Sequence, residues 1–338
     1  MTPSTSDGVI LAAAAGLMSG NCMLPSKFLR SWQWENMWAV FSLVSLVILP
    51  WGLAFCLVHN LHEIYSSLPL RVFFLPVLFG MCWGVAQILF GISVDRLGMS
   101  LTYAIVVGMG AALGTLVPMI ALEKSELHHR TIEAVILGIV LMSLGIVLTT
   151  LAGRFRDSTH SAHLSSHGEK SYRALIMLAV LCGFLAPMLN YSFAFGQQIA
   201  KQSIVFGNSP ALASYAVWPI GLAGGFLPNA GYAGYLILRR RSLPLFAKAS
   251  PDFLLSSTMA VLWMGAFAVY GMSAAFLGNL GTSIGWALFQ IFMIVAASVS
   301  GLLTGEWKDA SGRAFTYLIS GMCLLIVATI FLTFANRT

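Results

Sequence analysis

The chain has 338 residues, of which 58% are hydrophobic and only 9% are charged, and its net charge is +6. Soluble domains carry roughly 25% charged residues, so this composition excludes a water-soluble globule and predicts a polytopic membrane protein. The positive charge does not indicate a nucleic-acid partner, because the Lys and Arg residues lie in short loops between apolar segments.

Ten apolar segments have the length of about 20 residues that a bilayer-spanning helix needs. In chain order they cover residues 8–27, 36–58, 71–94, 98–122, 131–152, 172–200, 209–238, 253–276, 282–303 and 312–335. The longest polar segment, residues 154–173, separates five spans from five. We therefore predict a first five-helix repeat over residues 1–153, a central cytoplasmic loop over 154–171 and a second five-helix repeat over 172–338.

The distribution of basic residues predicts the orientation of these spans. The loops after odd-numbered spans, which include the central loop after span five, hold 13 of the 18 Lys and Arg residues. Basic loops are retained on the cytoplasmic side, so we expect these loops in the cytoplasm and both termini on the outer side.

An internal repeat relates the two halves. A shift of 183 positions overlays spans three to five on spans eight to ten without a gap. The matched charged pairs are Glu123/Glu306, Arg130/Arg313 and Arg154/Arg337. Because each half has five spans, equivalent helices cross the membrane in opposite directions, an arrangement typical of carriers. The predicted fold is thus an all-α polytopic membrane protein with ten transmembrane helices in two inverted five-helix repeats.

Few polar side chains lie deep within the spans, and a polar solute would need them, because an unpaired polar group in hydrocarbon costs several kcal/mol. Aromatic rings such as Trp286 would cover the apolar face of a sugar-like solute. The predicted substrate contacts are Asn21, Gln87, Asn190, Tyr191, Trp286 and Gln290. An alternative stays open for each polar residue, namely a hydrogen bond that joins two helices.

The segment WQWENMW places an acid, Glu35, among tryptophans directly before the second span. One interpretation is a helix start at the membrane surface, with Glu35 at the positive end of the helix dipole and Trp34 and Trp38 in the interfacial belt. The other is a gate in which Glu35 pairs with Lys27 or Arg30 and is released by protonation. We favour the gate, with Glu35, Lys27, Trp34 and Trp38 as coupling or gating residues.

Nothing in the sequence indicates enzymatic chemistry. It contains no GxSxG, HExxH, P-loop or CxxC motif, and its five cysteines are scattered through apolar segments. Three histidines, His160, His163 and His167, recur in the central loop, but Ser and Gly surround them. We therefore expect neither an enzyme, nor a cofactor, nor a metal site.

Several stretches resemble the L-rhamnose/proton symporter family of the drug/metabolite transporter superfamily over nearly the whole chain. They are LPSKFLRSWQWENMWAVFSLVSLVILPW, WGVAQILFGISVDRLGMS, GTLVPMI and GEWKDASGRA. The resemblance implies ten helices in two inverted halves and uptake of a 6-deoxy sugar such as rhamnose with protons, across a bacterial inner membrane. It also supports Lys27, Trp34, Glu35 and Trp38 as gate residues.

The ninth span departs from the family pattern. Where known rhamnose transporters have a polar aromatic stretch with an acid, this chain reads GTSIGWALFQ, with Thr282 at the place of the acid. Trp286 still matches. This difference affects what the resemblance implies about the identity of the proton-coupling residue and about the identity of the sugar.

These features predict a secondary active transporter that works by alternating access as a monomer in the lipid bilayer, with a small sugar and protons as its partners. A facilitator or exporter of another small polar metabolite is the alternative on the same fold. A membrane-embedded enzyme would need clustered catalytic side chains, which the sequence does not provide.

Overall fold

The computed structural model describes residues 5–122, 128–157, 169–248, 250–308 and 310–335. All regular elements among these residues are helical. In the first half, the long helices are α1 (Thr5–Asn21), α2 (Trp34–Leu57), α3 (Arg71–Leu97), α4 (Met99–Leu122) and α5 (His129–Asp157). In the second half they are α6 (Glu169–Leu185, Met188–Phe195 and Gln197–Val205), α7 (Trp218–Arg240), α8 (Ser250–Leu277), α9 (Gly281–Leu303) and α10 (Gly312–Ala335).

The prediction of a polytopic helical membrane protein is confirmed. By length and hydropathy, nine segments within the described residues qualify as spans, because Pro251–Leu303 is counted as one. That segment holds two helices, α8 and α9, which pack against each other across the turn Gly278–Leu280. Gly278 has φ +76°, a left-handed conformation that favours glycine, and this turn is what separates the eighth and ninth predicted spans.

The sixth span differs from the prediction because it is broken twice. Pro187 follows the first segment and Gly196 separates the second from the third. Proline cannot donate the backbone hydrogen bond that would continue a helix through this position. The break matters for the site, because the short middle segment Met188–Phe195 carries Asn190, Tyr191 and Phe193 into the centre of the bundle. The predicted central loop, 154–171, is shorter in the structure, because α5 continues to Asp157 and α6 begins at Glu169. Residues 158–168, which include the three histidines, lie outside the described residues.

Glycines let α3 and α7 pack with their backbones in contact. A Cβ on Gly80 would lie 1.8 Å from the Gly221 carbonyl oxygen, and one on Gly84 would lie 2.5 Å from that of Gly225. Because both pairs advance in the same direction along the chain, the two helices run parallel. Small residues at four-residue spacing permit this approach in membrane proteins.

Contacts between α5 and α10 support the predicted repeat. A Cβ on Gly138 would meet the Leu332 side chain, and a Cβ on Gly321 would meet Thr149. The shift of 183 positions converts Gly138 into Gly321 and Thr149 into Leu332, so it exchanges the two contacts. Such reciprocity is expected about a two-fold axis. The inverted repeat itself stays a prediction.

The close approach of α3 and α7 predicts opposite effects for two substitutions in one helix. Gly80→Ala places a methyl group against a backbone oxygen, so we expect a loss of about 1–3 kcal/mol of stability. Gly91→Ala adds a methyl group with nothing within 4 Å, so it keeps or slightly raises stability. Thermal unfolding of the purified variants measures both, and equal stability of the two would contradict the packing described.

Candidate substrate cavity and gate

A cavity of about 730 Å³ opens at one end of the helix bundle. Its volume lies within the range of about 300–1,000 Å³ that is usual for small-molecule sites. The last turn of α4, the third segment of α6, the residues before α7 and the turn between α8 and α9 surround it. We call this end of the bundle the cavity end. The described parts of both chain termini also lie there, because α1 begins and α10 ends at it.

The cavity wall combines polar and apolar groups. Gln197, Ser214, Asn279 and Thr282 bring hydroxyl and amide groups to it, beside alanine, leucine and isoleucine side chains. Among the described lining residues, Lys201 is the only one with a formal charge. Amides and hydroxyls both donate and accept hydrogen bonds, so this wall suits a small solute that carries hydroxyl groups.

Aromatic rings form the floor of the cavity. Phe193 lines the cavity and stacks on Trp218, with ring centroids 4.5 Å apart and planes 6° from parallel. Tyr270 contacts both of these rings as well as Phe267. Phe193 lies in the short middle segment of α6, Trp218 begins α7, and Phe267 and Tyr270 lie within α8.

Aromatic contacts continue from the floor to the opposite end of the bundle. Phe267 packs on Trp263 at 4.4 Å, and Trp263 on Phe41 at 6.0 Å. Trp38 then stacks on Phe41 at 4.9 Å and on Trp34 at 5.2 Å. The rings fill the space below the cavity, so a solute that entered at the cavity end would have to displace some of them to leave at the other end.

Asn190 lies directly behind the cavity wall and joins three helices to α6. Its side-chain amide donates to the carbonyl oxygens of Gly114 and Thr282, both at 2.9 Å. Its side-chain oxygen accepts a hydrogen bond from the Tyr270 hydroxyl. Both donors of the amide are therefore used within the protein, which is the structural role left open for this residue.

Two other predicted contact residues also bond to α4. The Tyr191 hydroxyl donates to the Leu113 carbonyl oxygen at 2.9 Å, and Trp286 Nε1 donates to that of Gly110 at 3.1 Å. Gly114 accommodates Trp286, because a Cβ there would lie 2.2 Å from the indole nitrogen. These residues hold α6 and α9 against α4.

The remaining predicted contacts are spread along the bundle. Gln87 in α3 is half-buried and Gln290 in α9 is 8% exposed, and the described residues provide no hydrogen-bond partner for either side chain. Asn21 lies at the end of α1, where it donates to the Leu17 carbonyl oxygen and accepts from Ser300 Oγ. None of the six predicted residues lines the cavity in this conformation, so their contact with a substrate stays a prediction.

The residues that do line the cavity were missed by sequence reasoning. Ser214, Lys201 and Thr282 are common residue types near the ends of spans, and only the breaks around α6 and α7 bring them to one wall. Lys201 carried a weak signal, since it is a cation at the end of a span that contains two interior polar residues.

Charged groups close the opposite end, which we call the ion-paired end. Lys27, after α1, forms a salt bridge with Glu306, before α10, and Arg156 at the end of α5 binds the same carboxylate at 3.1 Å. The hydrogen bond from the Lys27 ammonium lowers the pKa of Glu306 below its usual value of 4.5; the charges of Lys27 and Arg156 act in the same direction, while burial opposes them. Glu306 therefore stays ionised at neutral pH.

Glu35 lies at the same end, but it does not pair with Lys27. Its side chain is completely buried, and Arg240 at the end of α7 donates to one carboxylate oxygen at 2.9 Å. The expected pairing with Lys27 is wrong, because Lys27 instead reaches Glu306. The other Glu35 oxygen, Oε1, has no hydrogen-bond partner among the described residues.

Asp252, at the start of α8, supplies a third closure that the sequence did not reveal. Its carboxylate accepts backbone hydrogen bonds from Arg30, Ser31 and Trp32 at 2.7–2.9 Å. Charge-assisted bonds to backbone N–H groups are among the stronger hydrogen bonds in proteins. They fix the loop between α1 and α2 to the second half of the chain.

The two tryptophans predicted as gating residues face α7. Trp38 Nε1 donates to Asn229 Oδ1 at 2.9 Å, and Trp34 packs edge-on against Tyr232 at 6.2 Å. Trp34 is 41% exposed and Trp38 is half-buried, so neither is sealed inside the protein. Their contact with α7 is compatible with a gating role, which stays a prediction.

A metal or catalytic centre is not evident in the described part of the chain. No three His, Cys, Asp or Glu side chains there lie close enough to hold a metal ion. The three loop histidines lie outside the described residues. The described residues provide a cavity of a size suited to a small solute.

Sequence comparisons with known proteins identify a transporter family. The family model described as L-rhamnose-proton symport protein matches residues 5–335. The chain is 27% identical over 323 residues to proteins named L-rhamnose-proton symporter from Shigella boydii (serotype 18) and from Escherichia coli (strain 55989 and serotype O8). The match covers 93% of this chain and 93% of each relative.

The hydrogen bonds of Asn190 predict a loss of stability on its removal. Asn190→Leu leaves Tyr270 and the carbonyl oxygens of Gly114 and Thr282 without this partner, so we expect the free protein to lose about 1–3 kcal/mol. Gln87→Leu removes no internal hydrogen bond and serves as the control. Thermal unfolding without ligand measures both variants. An Asn190→Leu protein as stable as Gln87→Leu would contradict the structural role of Asn190.

The lowered pKa of Glu306 predicts how the ion-paired end depends on pH. The ion pairs are fully present above about pH 4.5 and are lost as the pH falls through the lowered pKa. Cys22 directly follows α1 at this end and is buried. Glu306→Gln removes the ion pairs at any pH, so alkylation of Cys22 should be about two- to fivefold faster than in the unmodified protein.

Mass spectrometry of the Cys22 peptide measures this ratio of rates. It should stay constant between about pH 6 and 8 and approach one well below about pH 4.5, where both proteins lack the charge. A ratio that changes between about pH 6 and 8 would mean that Glu306 titrates in that range.

Proposed function

Because the chain belongs to the L-rhamnose-proton symport protein family, we propose that it takes up a 6-deoxy sugar similar to L-rhamnose together with protons, by alternating access. Members of this family are transporters and not enzymes. The observation that carries the proposal is the asymmetry of the bundle, with a cavity at one end and the other end closed by charged contacts. We further propose that the chain works as a monomer.

The two halves of the chain form the moving parts in this proposal. All three carboxylates at the ion-paired end bond across the boundary between residues 1–153 and 172–338. Arg156, at the end of α5, adds a second contact to Glu306. Opening that end requires these contacts to break while the cavity end closes. Inverted repeats commonly exchange the two arrangements by rocking about a central site.

Basic residues give the proposed orientation. The ion-paired end carries the loops that hold most of the Lys and Arg residues, so it faces the cytoplasm under the positive-inside rule. The cavity and both termini then face the periplasm of a bacterial inner membrane. The described conformation would thus be open to the outside, ready to receive a sugar.

Glu35 is the proposed proton-coupling residue. It is buried, and one of its two carboxylate oxygens lacks a hydrogen-bond partner among the described residues. A proton on that oxygen would neutralise the carboxylate and weaken its attraction to Arg240. Protonation would therefore favour opening of the ion-paired end, as a symport cycle requires.

The wall of the cavity supports a 6-deoxy sugar as the substrate. Such a sugar has several hydroxyl groups and one methyl group, and the wall pairs amides and hydroxyls with aliphatic and aromatic side chains. A charged solute is less well matched, because Lys201 is the only charged group among the described lining residues.

A facilitator or exporter of another small metabolite is the second candidate. Thr282 in the cavity wall favours it, because the resemblance places an acid at this position in rhamnose transporters. Proteoliposomes containing a pH-sensitive dye separate the two candidates. Symport predicts that added L-rhamnose enters and acidifies the lumen, whereas entry without acidification would support the facilitator.

The role of Glu35 predicts a separation of two transport activities. Glu35→Gln keeps the shape of the side chain but cannot release a proton, so proton-driven accumulation of L-rhamnose should fall to the background while exchange across the membrane continues. Radiolabelled uptake and counterflow in proteoliposomes measure the two.

Glu306→Gln is the matched control, since Glu306 is ionised at neutral pH and is not expected to carry the proton. This variant should still accumulate the sugar. Normal accumulation by Glu35→Gln would refute the assignment of Glu35.

A further inference from the structure

The indole N–H of Trp218 has no hydrogen-bond acceptor among the described residues. The side chain is 2% exposed, and Nε1 is buried. Buried Trp N–H groups usually have a partner, and an unmade bond of this kind destabilises the folded protein. Trp286, in the same aromatic cluster, has such a partner in the Gly110 carbonyl oxygen. Trp218 thus differs from Trp286 in having a buried N–H without an acceptor among the described residues.

The position of this N–H is at the floor of the cavity. A Cβ on Gly271 would lie 3.0 Å from Trp218 Nε1 and 2.8 Å from Ser214 Oγ. Both Gly271 and Ser214 line the cavity. The two polar atoms therefore face the same point beside a glycine, and any side chain at residue 271 would fill the space between them and the cavity.

Ser214 is also weakly engaged. Its hydroxyl makes one long contact, 3.5 Å, with the Ala211 carbonyl oxygen. A hydroxyl can donate one hydrogen bond and accept two, so most of its capacity is free for a ligand. The Trp N–H can only donate. Together they would bind a group that accepts one hydrogen bond and donates another, which is the chemistry of a sugar hydroxyl.

Stacking of Phe193 on Trp218 adds an apolar surface at the same place. Phe193 lines the cavity, and its ring covers the indole at 4.5 Å. A sugar ring with a hydroxyl directed at the floor would also cover apolar surface there. This arrangement of a few polar groups in an aromatic wall is usual for small-molecule sites.

We propose that Trp218 Nε1 and Ser214 Oγ form a subsite that binds one hydroxyl group of the transported sugar, reached through the space that Gly271 leaves open. The proposal rests on the function proposed above, since it assumes that a sugar enters this cavity. The proposal explains why the Trp218 N–H has no acceptor in the free protein, because the ligand supplies one. The unsatisfied donor destabilises the free protein, and binding strengthens when the ligand satisfies it.

Trp218→Phe tests the subsite because it removes only the N–H and keeps the ring stacked on Phe193. In the free protein the melting temperature should stay the same or rise, since an unsatisfied donor is removed. The affinity for L-rhamnose should fall about tenfold, the effect of one hydrogen bond. Binding is measured by the ligand-induced shift in melting temperature and by calorimetry.

Trp286→Phe is the matched control for stability. It removes an indole N–H that is hydrogen-bonded to Gly110, so the free protein should become less stable. If Trp218→Phe lowers the stability of the free protein as much as Trp286→Phe does, then the Trp218 N–H has an internal partner and the proposal is overturned.

Two further variants keep the test decisive if Trp218→Phe does not fold. Ser214→Ala should also weaken L-rhamnose binding, while Gly271→Ala should block the subsite by placing a methyl group between the polar atoms. Monodeoxy analogues of L-rhamnose then identify the bound hydroxyl. The analogue that lacks this hydroxyl should bind the unmodified protein about tenfold more weakly than L-rhamnose does. On Trp218→Phe, the analogue and L-rhamnose should bind with equal affinity.

The outcomes separate this subsite from the function on which it rests. If L-rhamnose or a related neutral sugar binds the unmodified protein and the Trp218→Phe and Ser214→Ala variants equally well, the subsite is refuted and the proposed function stands. If no neutral sugar binds the unmodified protein, both are overturned. Selective loss of affinity, with the stability of free Trp218→Phe preserved, supports the subsite.

Discussion

Three carboxylates hold the two halves of the chain together at one end of the bundle. Glu35 belongs to the first half and pairs with Arg240, while Glu306 and Asp252 belong to the second half and bind groups from the first. Each contact links loops or helix ends that are far apart in sequence, so the closure depends on the folded arrangement of both halves. Because these hydrogen bonds are strong only while the carboxylate is ionised, the proposed proton coupling acts at this end.

At the cavity end, the described residues surround an open space. Breaks in the helices around α6 and α7 turn side chains and backbone toward a common space, and the aromatic rings beneath it keep that space separate from the ion-paired end. Asn190 is central to this arrangement, since it bonds to α4, α8 and α9 together. The molecule thus has a polar cavity wall, a layer of aromatic rings and a charged closure in series, which is compatible with the proposed alternating access.

Sequence reasoning predicted the ten helices and most of their bounds, because the apolar length that a bilayer demands is a local property of the chain. It also identified Glu35 as unusual, because it is an acid among tryptophans in a chain with few charged residues. It gave the wrong partner for Glu35 and overlooked Asp252, since pairing across the halves depends on which loops meet in space. The cavity residues Ser214 and Thr282 were overlooked for a similar reason: nothing local distinguishes them from other small polar residues near span ends. Asn190 was recognised in the sequence as a polar residue within a span. Its hydrogen bonds to backbone carbonyl oxygens depend on tertiary packing and were not predictable.

The proposed transport cycle requires the two ends to open in alternation. Pairs of spin labels, one at Ser31 and Arg241 across the ion-paired end and one at Leu122 and Asn279 across the cavity end, measure the two separations by pulsed electron resonance in a cysteine-replaced protein. On addition of L-rhamnose at mildly acidic pH, we expect a longer Ser31–Arg241 distance together with a shorter Leu122–Asn279 distance. Distances that stay fixed, or that lengthen together at both ends, would contradict the proposed cycle.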